Sequence, residues 1–357
     1  MGTSAVVVGA GVFGAATARE LGRRGFAVTL VEQYSPGDVR SGSGGDTRLH
    51  RFSHGDDEWY ARSARRALDL WRELEQETGE RLFEPVGVAW FDTGGDFVDR
   101  SERTLARLGI QTARLSPDEA RQRFPSLGGD DLRSVLCEPE GGVLWARRAT
   151  QALARGLPLE TGRRTPADPP QADVVVWACG SWLARLFPAL VQQKVTRRDV
   201  FFFGAPGEWT GTPGWCDYEG AFYGTGDLGG LGVKVAPDSP GDDVDPDRLE
   251  RLPTRANEQL AREYAARRFP ALADAPLVGA RVCQYDLTPD AHFVVARHPE
   301  QPGWWLVGGG SGHGFKHGPA LAEYVADCVE GVREPESFHA LGPRRPGAGL
   351  RTATVEL

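Results

Sequence analysis

Ala5-Val6-Val7-Val8-Gly9-Ala10-Gly11-Val12-Phe13-Gly14 stands almost at the start of the chain. Its apolar, β-branched run predicts a buried parallel strand that breaks at a glycine-punctuated turn. A helical pattern follows from Ala15 to about Arg24, with Leu21 on its inner face. Gly25 ends that helix, and Ala27-Val28-Thr29-Leu30-Val31-Glu32 predicts the next strand. The whole is a β-α-β unit carrying G-x-G-x-x-G at Gly9, Gly11 and Gly14. The glycines serve a tight turn, a close backbone approach to a pyrophosphate, and close helix–strand contact. The helix N-terminus then offers free N–H groups and partial positive charge to the phosphates. Glu32 closes the second strand about 20 residues beyond the first glycine, where a carboxylate accepts hydrogen bonds from a ribose. The unit therefore predicts a dinucleotide ligand, FAD or NAD.

Outward from this unit, composition sets bounds. A chain of 357 residues suits two domains. The cysteines, Cys137, Cys179, Cys216, Cys283 and Cys328, are odd in number, widely spaced and without C-x-x-C. A reducing compartment is expected, and no metal site. The first strand begins too near Met1 for a signal peptide, and the longest apolar run, Val174 to Ala184, is too short to span a bilayer. A net charge of −8 argues against nucleic acid as the main ligand. A cytoplasmic protein is expected. The lysines are only Lys194, Lys234 and Lys316, and the last two sit in glycine-rich, weakly polar stretches. A lysine there is either a snorkelling surface side chain or a compact charge beside a reactive centre.

Further along, Ser35 to Gly45 predicts a polar loop running past the dinucleotide, followed by Arg48 and Arg51. Trp59 to Gly79 predicts an amphipathic helix with Ala64, Ala67, Leu68, Leu70, Trp71 and Leu74 as its stripe. Phe83 to Glu138 predicts an excursion into a second domain: a short strand pair from Val86 to Phe91, then helices around Arg100–Leu108 and Ser116–Arg123, the latter with a Ser116/Glu119 capping box. Ala172 to Trp182 predicts a buried strand breaking into a turn, after a proline-rich connector from Arg163 to Gln171. Strands are expected over Asp199–Gly204 and Gly220–Gly224 with a turn at Gly211–Gly214 between them. A helix follows from Pro253 to Arg268, with Pro253 in its first turn. Strands at Gly279–Tyr285, His292–Ala296 and Trp304–Val307 lead to a last helix, Pro319–Glu330, and a loosely ordered tail after Ala340.

Several of these segments resemble one family. They are the glycine motif with Glu32, Gly45-Asp46-Thr47-Arg48-x-x-Arg51, Ala178-Cys179-Gly180-Ser181-Trp182, and Phe222-Tyr223-Gly224. Lys234, Val282-Cys283-Gln284-Tyr285 and Ser311-Gly312-His313-Gly314-Phe315-Lys316 complete the set. From about Val6 to about Pro343 the chain resembles the flavin-dependent amine oxidases of the D-amino-acid-oxidase superfamily, in the monomeric sarcosine oxidase / N-methyltryptophan oxidase branch. The resemblance implies an α/β fold (α+β overall): a Rossmann-like FAD-binding domain and a second, mixed β-sheet substrate domain. The chain would pass between them more than once, with 1–82, 141–190 and 286–345 binding FAD and 83–140 and 191–285 forming the substrate domain. It implies covalent attachment of the flavin's 8α carbon to Cys283, and cofactor contacts from Arg48, Gly312, Gly314 and Phe315. Arg51 and Lys316 match the pair that binds the substrate carboxylate, and Lys234 matches the lysine that activates O₂. Tyr223 and Tyr285 match aromatic residues lining the substrate cavity. A monomer acting on a small amino-acid-like substrate and O₂ is implied.

The chain also departs from that pattern. The branch carries a histidine two residues before the aspartate of the G-D-T-R segment and another four residues after the O₂-activating lysine; Gly44 and Asp238 stand here. Both family histidines border flavin and substrate, so their loss is expected to leave space. With the aromatic-rich stretch Phe201 to Tyr223, this favours a secondary or cyclic amino acid bulkier than sarcosine. A dehydrogenase using an acceptor other than O₂, and a non-catalytic flavin-binding protein, are the alternatives. His50, His54 and His317 lie near the motifs and are read as structural or exposed.

Overall fold

The computed structural model describes residues 2–163, 170–205, 207–239 and 241–347. The opening unit forms as strand Ser4–Val8, helix Val12–Arg23 and strand Ala27–Val31. The helix begins earlier than its apolar period suggests, because Gly11 in extended conformation takes the N-cap position. Glycine is obligatory on either side. A Cβ on Gly9, whose φ is +103°, would lie 2.4 Å from the Ala178 carbonyl oxygen, and one on Gly14 only 1.8 Å from the Gly9 carbonyl oxygen.

These strands lie in a six-stranded sheet ordered Val294–Arg297, Trp304–Gly308, Val174–Trp177, Ser4–Val8, Ala27–Val31, Leu159–Glu160. Every neighbouring pair is parallel except the first. Helices Val12–Arg23, Glu58–Thr78, Ala146–Ala154 and Gly318–Val329 contribute to the apolar core beside it. The long helix Glu58–Thr78 buries the expected stripe. Asp57 caps it, its side chain accepting from the Tyr60 N–H, and Gly79 in the left-handed region ends it.

The second sheet has eight strands in the order Leu277–Leu287, Lys194–Phe203, Val233–Pro237, Phe222–Thr225, Gly214–Asp217, Val88–Asp92, Ser134–Glu138, Ala113–Leu115. It is antiparallel save for the parallel pairing of Gly214–Asp217 with Val88–Asp92, which makes it mixed. A separate core of aromatic side chains, with Phe91, Trp209, Trp215 and Phe269 fully buried, packs against it. A small third sheet joins Thr47–His50, Gly142–Trp145 and Phe83–Glu84. The fold is thus α/β with a Rossmann-like sheet and a second, mixed sheet. Among the described residues no helix is long and apolar enough to cross a membrane.

Five local expectations change. The strand pair expected at Val86–Phe91 is one strand, Val88–Asp92, whose partners lie far along the chain, while Phe83–Glu84 belongs to the small sheet. Gly214 starts a strand rather than ending a turn, because Val88 pairs beside it. Lys234 lies on a strand that its glycine-rich flank concealed. Pro253 falls outside the helix Arg255–Arg268, since Thr254 is the cap and accepts from the Asn257 N–H. The chain just after Ala340 is tied down: Arg344 donates to Asp290 and to the carbonyls of His292, Phe293 and Ala340. Residues 348–357, and 164–169 of the proline-rich connector, lie outside the described residues.

Candidate active site

The turn after the first strand opens onto an elongated cavity of about 470 Å³. Gly9, Gly11, Glu32, Arg48, Tyr285, Gly312, Gly314 and Phe315 all line it. Gly14 does not; it packs behind the turn against the Gly9 carbonyl. Glu32 accepts from the backbone N–H of Ala10 at 2.7 Å and of Tyr34 at 2.9 Å, which fixes its carboxylate at the cavity end of the strand. Burial pushes its pKa up despite those donors. The Ser35–Gly45 loop runs past the turn as expected, and the Ser43 hydroxyl accepts from the Val12 N–H at 2.8 Å.

The residues present fit a dinucleotide. A Cβ on Gly11 would come within 3.1 Å of the Ser43 hydroxyl, so the backbone there is kept bare. Ser181, from the turn after the strand Val174–Trp177, lines the cavity with a buried hydroxyl that has no hydrogen-bond partner. At the other end, Ser311 (φ 47°) and Gly312 (φ 73°) hold a left-handed turn. Asp286 accepts from the Gly310 N–H and the Gln193 amide, both at 3.0 Å, and burial raises its pKa to about 6.

Arg48 lines this cavity and also a smaller one of about 90 Å³ beside it. Its guanidinium donates to the carbonyls of Thr47, Gly42 and Gly44 and lies 3.4 Å from the Cys283 sulfur. The smaller cavity brings together Arg51, Lys316, Tyr223 and Tyr285, together with Gly312 and Phe315. The two tyrosine hydroxyls are 3.3 Å apart. Arg51 donates to the Ser53 carbonyl and lies 4.9 Å from the centre of the Trp90 ring. Lys316 is 2% exposed, and its ammonium donates to the His313 carbonyl at 2.7 Å. Two cations within aromatic walls make a setting for a small anion with an apolar body.

Lys234 is equally buried, at 2% exposed, so neither glycine-flanked lysine is a surface side chain. Its ammonium donates to the Thr47 carbonyl at 3.1 Å and lies 4.9 Å from the centre of the Tyr223 ring. Burial, with the Arg48 charge as a lesser cause, lowers its pKa to about 7. Cys283 pairs with Arg198 on the neighbouring strand and shares a strand face with Tyr285 two residues on. Asp238 lines the small cavity. At Gly44 the expected open space is absent. A Cβ there would lie 2.4 Å from the Asp38 carbonyl oxygen and 2.8 Å from the Val39 Cα. The loop folds back onto the place a side chain would need.

Some residues of the site carry no signal in the sequence. Trp90 comes from a strand whose pattern is simply apolar. Glu138 accepts from the Phe52 and Ser53 N–H groups, the Ser53 hydroxyl and the Trp90 indole N–H, and so holds the turn after Arg51. Trp71 donates to the Lys316 carbonyl at 2.8 Å and stacks on Phe315 at 6.0 Å. Only its place on the apolar stripe was legible.

The family profile for DAO, FAD dependent oxidoreductase, matches residues 4–328. Monomeric sarcosine oxidase of Bacillus sp. (strain B-0618) is 28% identical over 363 residues, covering 91% of each protein. N-methyl-L-tryptophan oxidase of Yersinia pestis (strain Pestoides F) is 26% identical and covers 95% of this chain and 98% of that protein. In fold, the chain is similar to L-proline dehydrogenase from P. horikoshii, with a TM-score of 0.80 at 21% identity, covering 94% of this chain and 96% of that one. It is similar too to NikD, an amino acid oxidase essential for nikkomycin biosynthesis, with a TM-score of 0.79 at 24% identity, covering 95% and 97%. The chain belongs to the DAO family of FAD-dependent oxidoreductases.

Proposed function

We propose that this enzyme oxidises the C–N bond of a secondary or cyclic amino acid bulkier than sarcosine and delivers the electrons to O₂. The amine loses two electrons and two protons and becomes an imine; O₂ takes up two of each and becomes H₂O₂. The observation that carries the proposal is the meeting of Arg51 and Lys316 in a small cavity that shares Arg48, Tyr285, Gly312 and Phe315 with the long one. Bound FAD would supply the two-electron acceptor and the route from amine to O₂.

The chain's own residues would divide the work. Gly9, Gly11 and Glu32 would hold the adenosine end of FAD, and Gly312, Gly314 and Phe315 the ring end, with Cys283 as the covalent attachment point. The parts expected to bind FAD, 1–82, 141–190 and 286–345, would meet the substrate parts, 83–140 and 191–285, along Arg48. Arg51 and Lys316 would clamp the substrate carboxylate and so fix the amine-bearing carbon relative to the ring, converting encounter into a positioned reaction. Tyr223, Tyr285 and Trp90 would wall off water around the apolar part. Space for bulk would lie toward Asp238, since Gly44 offers none. Lys234 would place a positive charge where negative charge develops on oxygen. The working unit would be a single chain.

Substrate choice is tested by ranking kcat/KM across amino acids with primary, N-methyl, bulky N-alkyl and cyclic amines. A bulky or cyclic secondary amine is expected to lead, and sarcosine in first place would sink this part of the reading.

The Lys234 assignment predicts opposite pH trends in the two half-reactions. Reduction by substrate should rise with pH as the amine loses its proton. Reoxidation by O₂ should fall as pH climbs through about 7, where Lys234 loses its charge. Lys234→Met should slow reoxidation by roughly 10²–10³-fold, abolish that descending limb and leave reduction nearly intact. Unchanged reoxidation in stopped-flow traces would point to an acceptor other than O₂.

Attachment is read by precipitating the holoenzyme with acid. A yellow pellet is expected from the wild type and a colourless one, under a yellow supernatant, from Cys283→Ala. A colourless wild-type pellet would make Cys283 an ordinary strand residue.

A further inference from the structure

Beside Arg51 and Lys316 lies a group of histidines to which the proposed reaction assigns no role, one of which, His313, lines the small cavity. His54, three residues after Arg51, meets His313 and His317, which flank Lys316. All three are buried, and one ring nitrogen of each lies within 4.8 Å of those of the other two. Among the described residues no other three histidine, cysteine or acidic side chains converge in this way.

One nitrogen of each ring is already engaged. His54 Nδ1 is 2.8 Å from the Phe52 carbonyl oxygen and His313 Nε2 is 2.9 Å from that of Ala291. A carbonyl only accepts, so both of those nitrogens carry the proton. In the neutral rings His54 Nε2 and His313 Nδ1 are then the nitrogens that carry the lone pair. His317 Nδ1 is 3.0 Å from the Ser63 hydroxyl, leaving Nε2 as its third corner. His54 Nε2 and His317 Nε2 are buried without a hydrogen-bond partner. Leaving such a buried atom unmatched is costly, and here the three rings are close neighbours.

The spacing comes near what an ion needs. A metal bonded to imidazole nitrogen at about 2.0–2.1 Å sits about 3.2 Å from the ring centre, so rings at tetrahedral to trigonal angles have centres about 5.2–5.5 Å apart. The observed separations are 5.3 Å (His54–His317), 5.8 Å (His54–His313) and 5.9 Å (His313–His317), the first inside that range and the other two about 0.3–0.4 Å beyond it, so His313 would draw in slightly around an ion. Fixing the tautomer of a ligand histidine through a carbonyl on its far nitrogen is also the usual outer-shell arrangement of metal sites.

We propose that His54, His313 and His317 form a structural binding site for a first-row transition metal ion of the zinc–copper class. The donors are three neutral nitrogens with no carboxylate, which excludes Mg²⁺ and Ca²⁺. They supply no charge to offset the ion, and the Lys316 ammonium stands beside His313. Selection therefore rests on nitrogen affinity, which is highest for copper and zinc. The ion would staple the segment after Arg51 to the loop carrying Lys316 and so hold the two cations at fixed separation. This replaces the expectation of no metal site, which was drawn from cysteine spacing alone. It does not depend on the substrate reading.

The test uses the flavin-loaded protein, stripped with a chelator and then incubated in separate arms with Zn²⁺ or with Cu⁺ under reductant. After gel filtration, metal per chain is measured by mass spectrometry and the ligand shell by X-ray absorption. One equivalent of zinc or copper in a shell of three imidazole nitrogens is expected. His54→Phe and His317→Phe, checked for a native flavin spectrum, should each cut the bound metal at least tenfold. No retained metal in either arm, a shell without imidazoles, or full occupancy in both variants would overturn the site. The wild-type absorption spectrum decides even if a variant fails to fold, and metal content is read independently of turnover.

Discussion

The site depends on how one guanidinium is held. Arg48 projects from a short strand into the wall between the two cavities, and among the described residues its guanidinium makes no ion pair, the nearby Asp46 pairing instead with Arg281. Its charge is instead spread over three backbone carbonyls and a thiol sulfur. Those partners come from the loop after Glu32, from its own strand, and from the long strand bearing Cys283. Carbonyl oxygens in a weakly polar surrounding bind a cation more strongly than they would in water. The price of moving any one of them is a stranded charge. Arg48 thereby ties the loop beside the dinucleotide cavity to the strand that carries Cys283.

Two further charges are positioned from behind by packing rather than by their own contacts with the cavity. Lys316 inherits its place from the helix Glu58–Thr78, whose Trp71 both stacks on Phe315 and donates to the lysine's own carbonyl. Arg51 inherits its place from Glu138, which gathers the following backbone N–H groups and the indole of Trp90 beneath the guanidinium. The small cavity thus lies where Lys316, held against the helix Glu58–Thr78, meets the interior strands Val88–Asp92, Gly214–Asp217 and Phe222–Thr225 of the eight-stranded sheet. Both cations come from opposite ends of the sequence, and neither sheet alone could present them together.

How much of this was legible follows from what kind of constraint each residue obeys. Gly9, Gly11 and Gly14 are dictated by local sterics and by a fixed spacing, so the sequence exposes them. The stripe around Trp71 is exposed by its period. Lys234 was conspicuous by composition, yet its strand was hidden, because the glycines before it carry no alternation and its partners lie in Lys194–Phe203 and Phe222–Thr225. Gly44 misled for a related reason. An absent side chain suggests open space, but a distant bend of backbone fills it. Glu138 and the three histidines were illegible because their partners are set by tertiary folding alone, which no spacing in a single sequence encodes.

The account turns on an anion pocket that presents a substrate carboxylate beside the flavin. Its most direct test is anaerobic mixing of the holoenzyme with a reactive amino acid and, separately, with the methyl ester of the same compound, while the visible absorption of the flavin is followed. The account predicts rapid bleaching by the acid and bleaching by the ester that is slower by two or more orders of magnitude, because each tenfold loss corresponds to about 1.4 kcal/mol and a charge-assisted pair supplies several. Equal bleaching by acid and ester, or none by any amino acid, would contradict it.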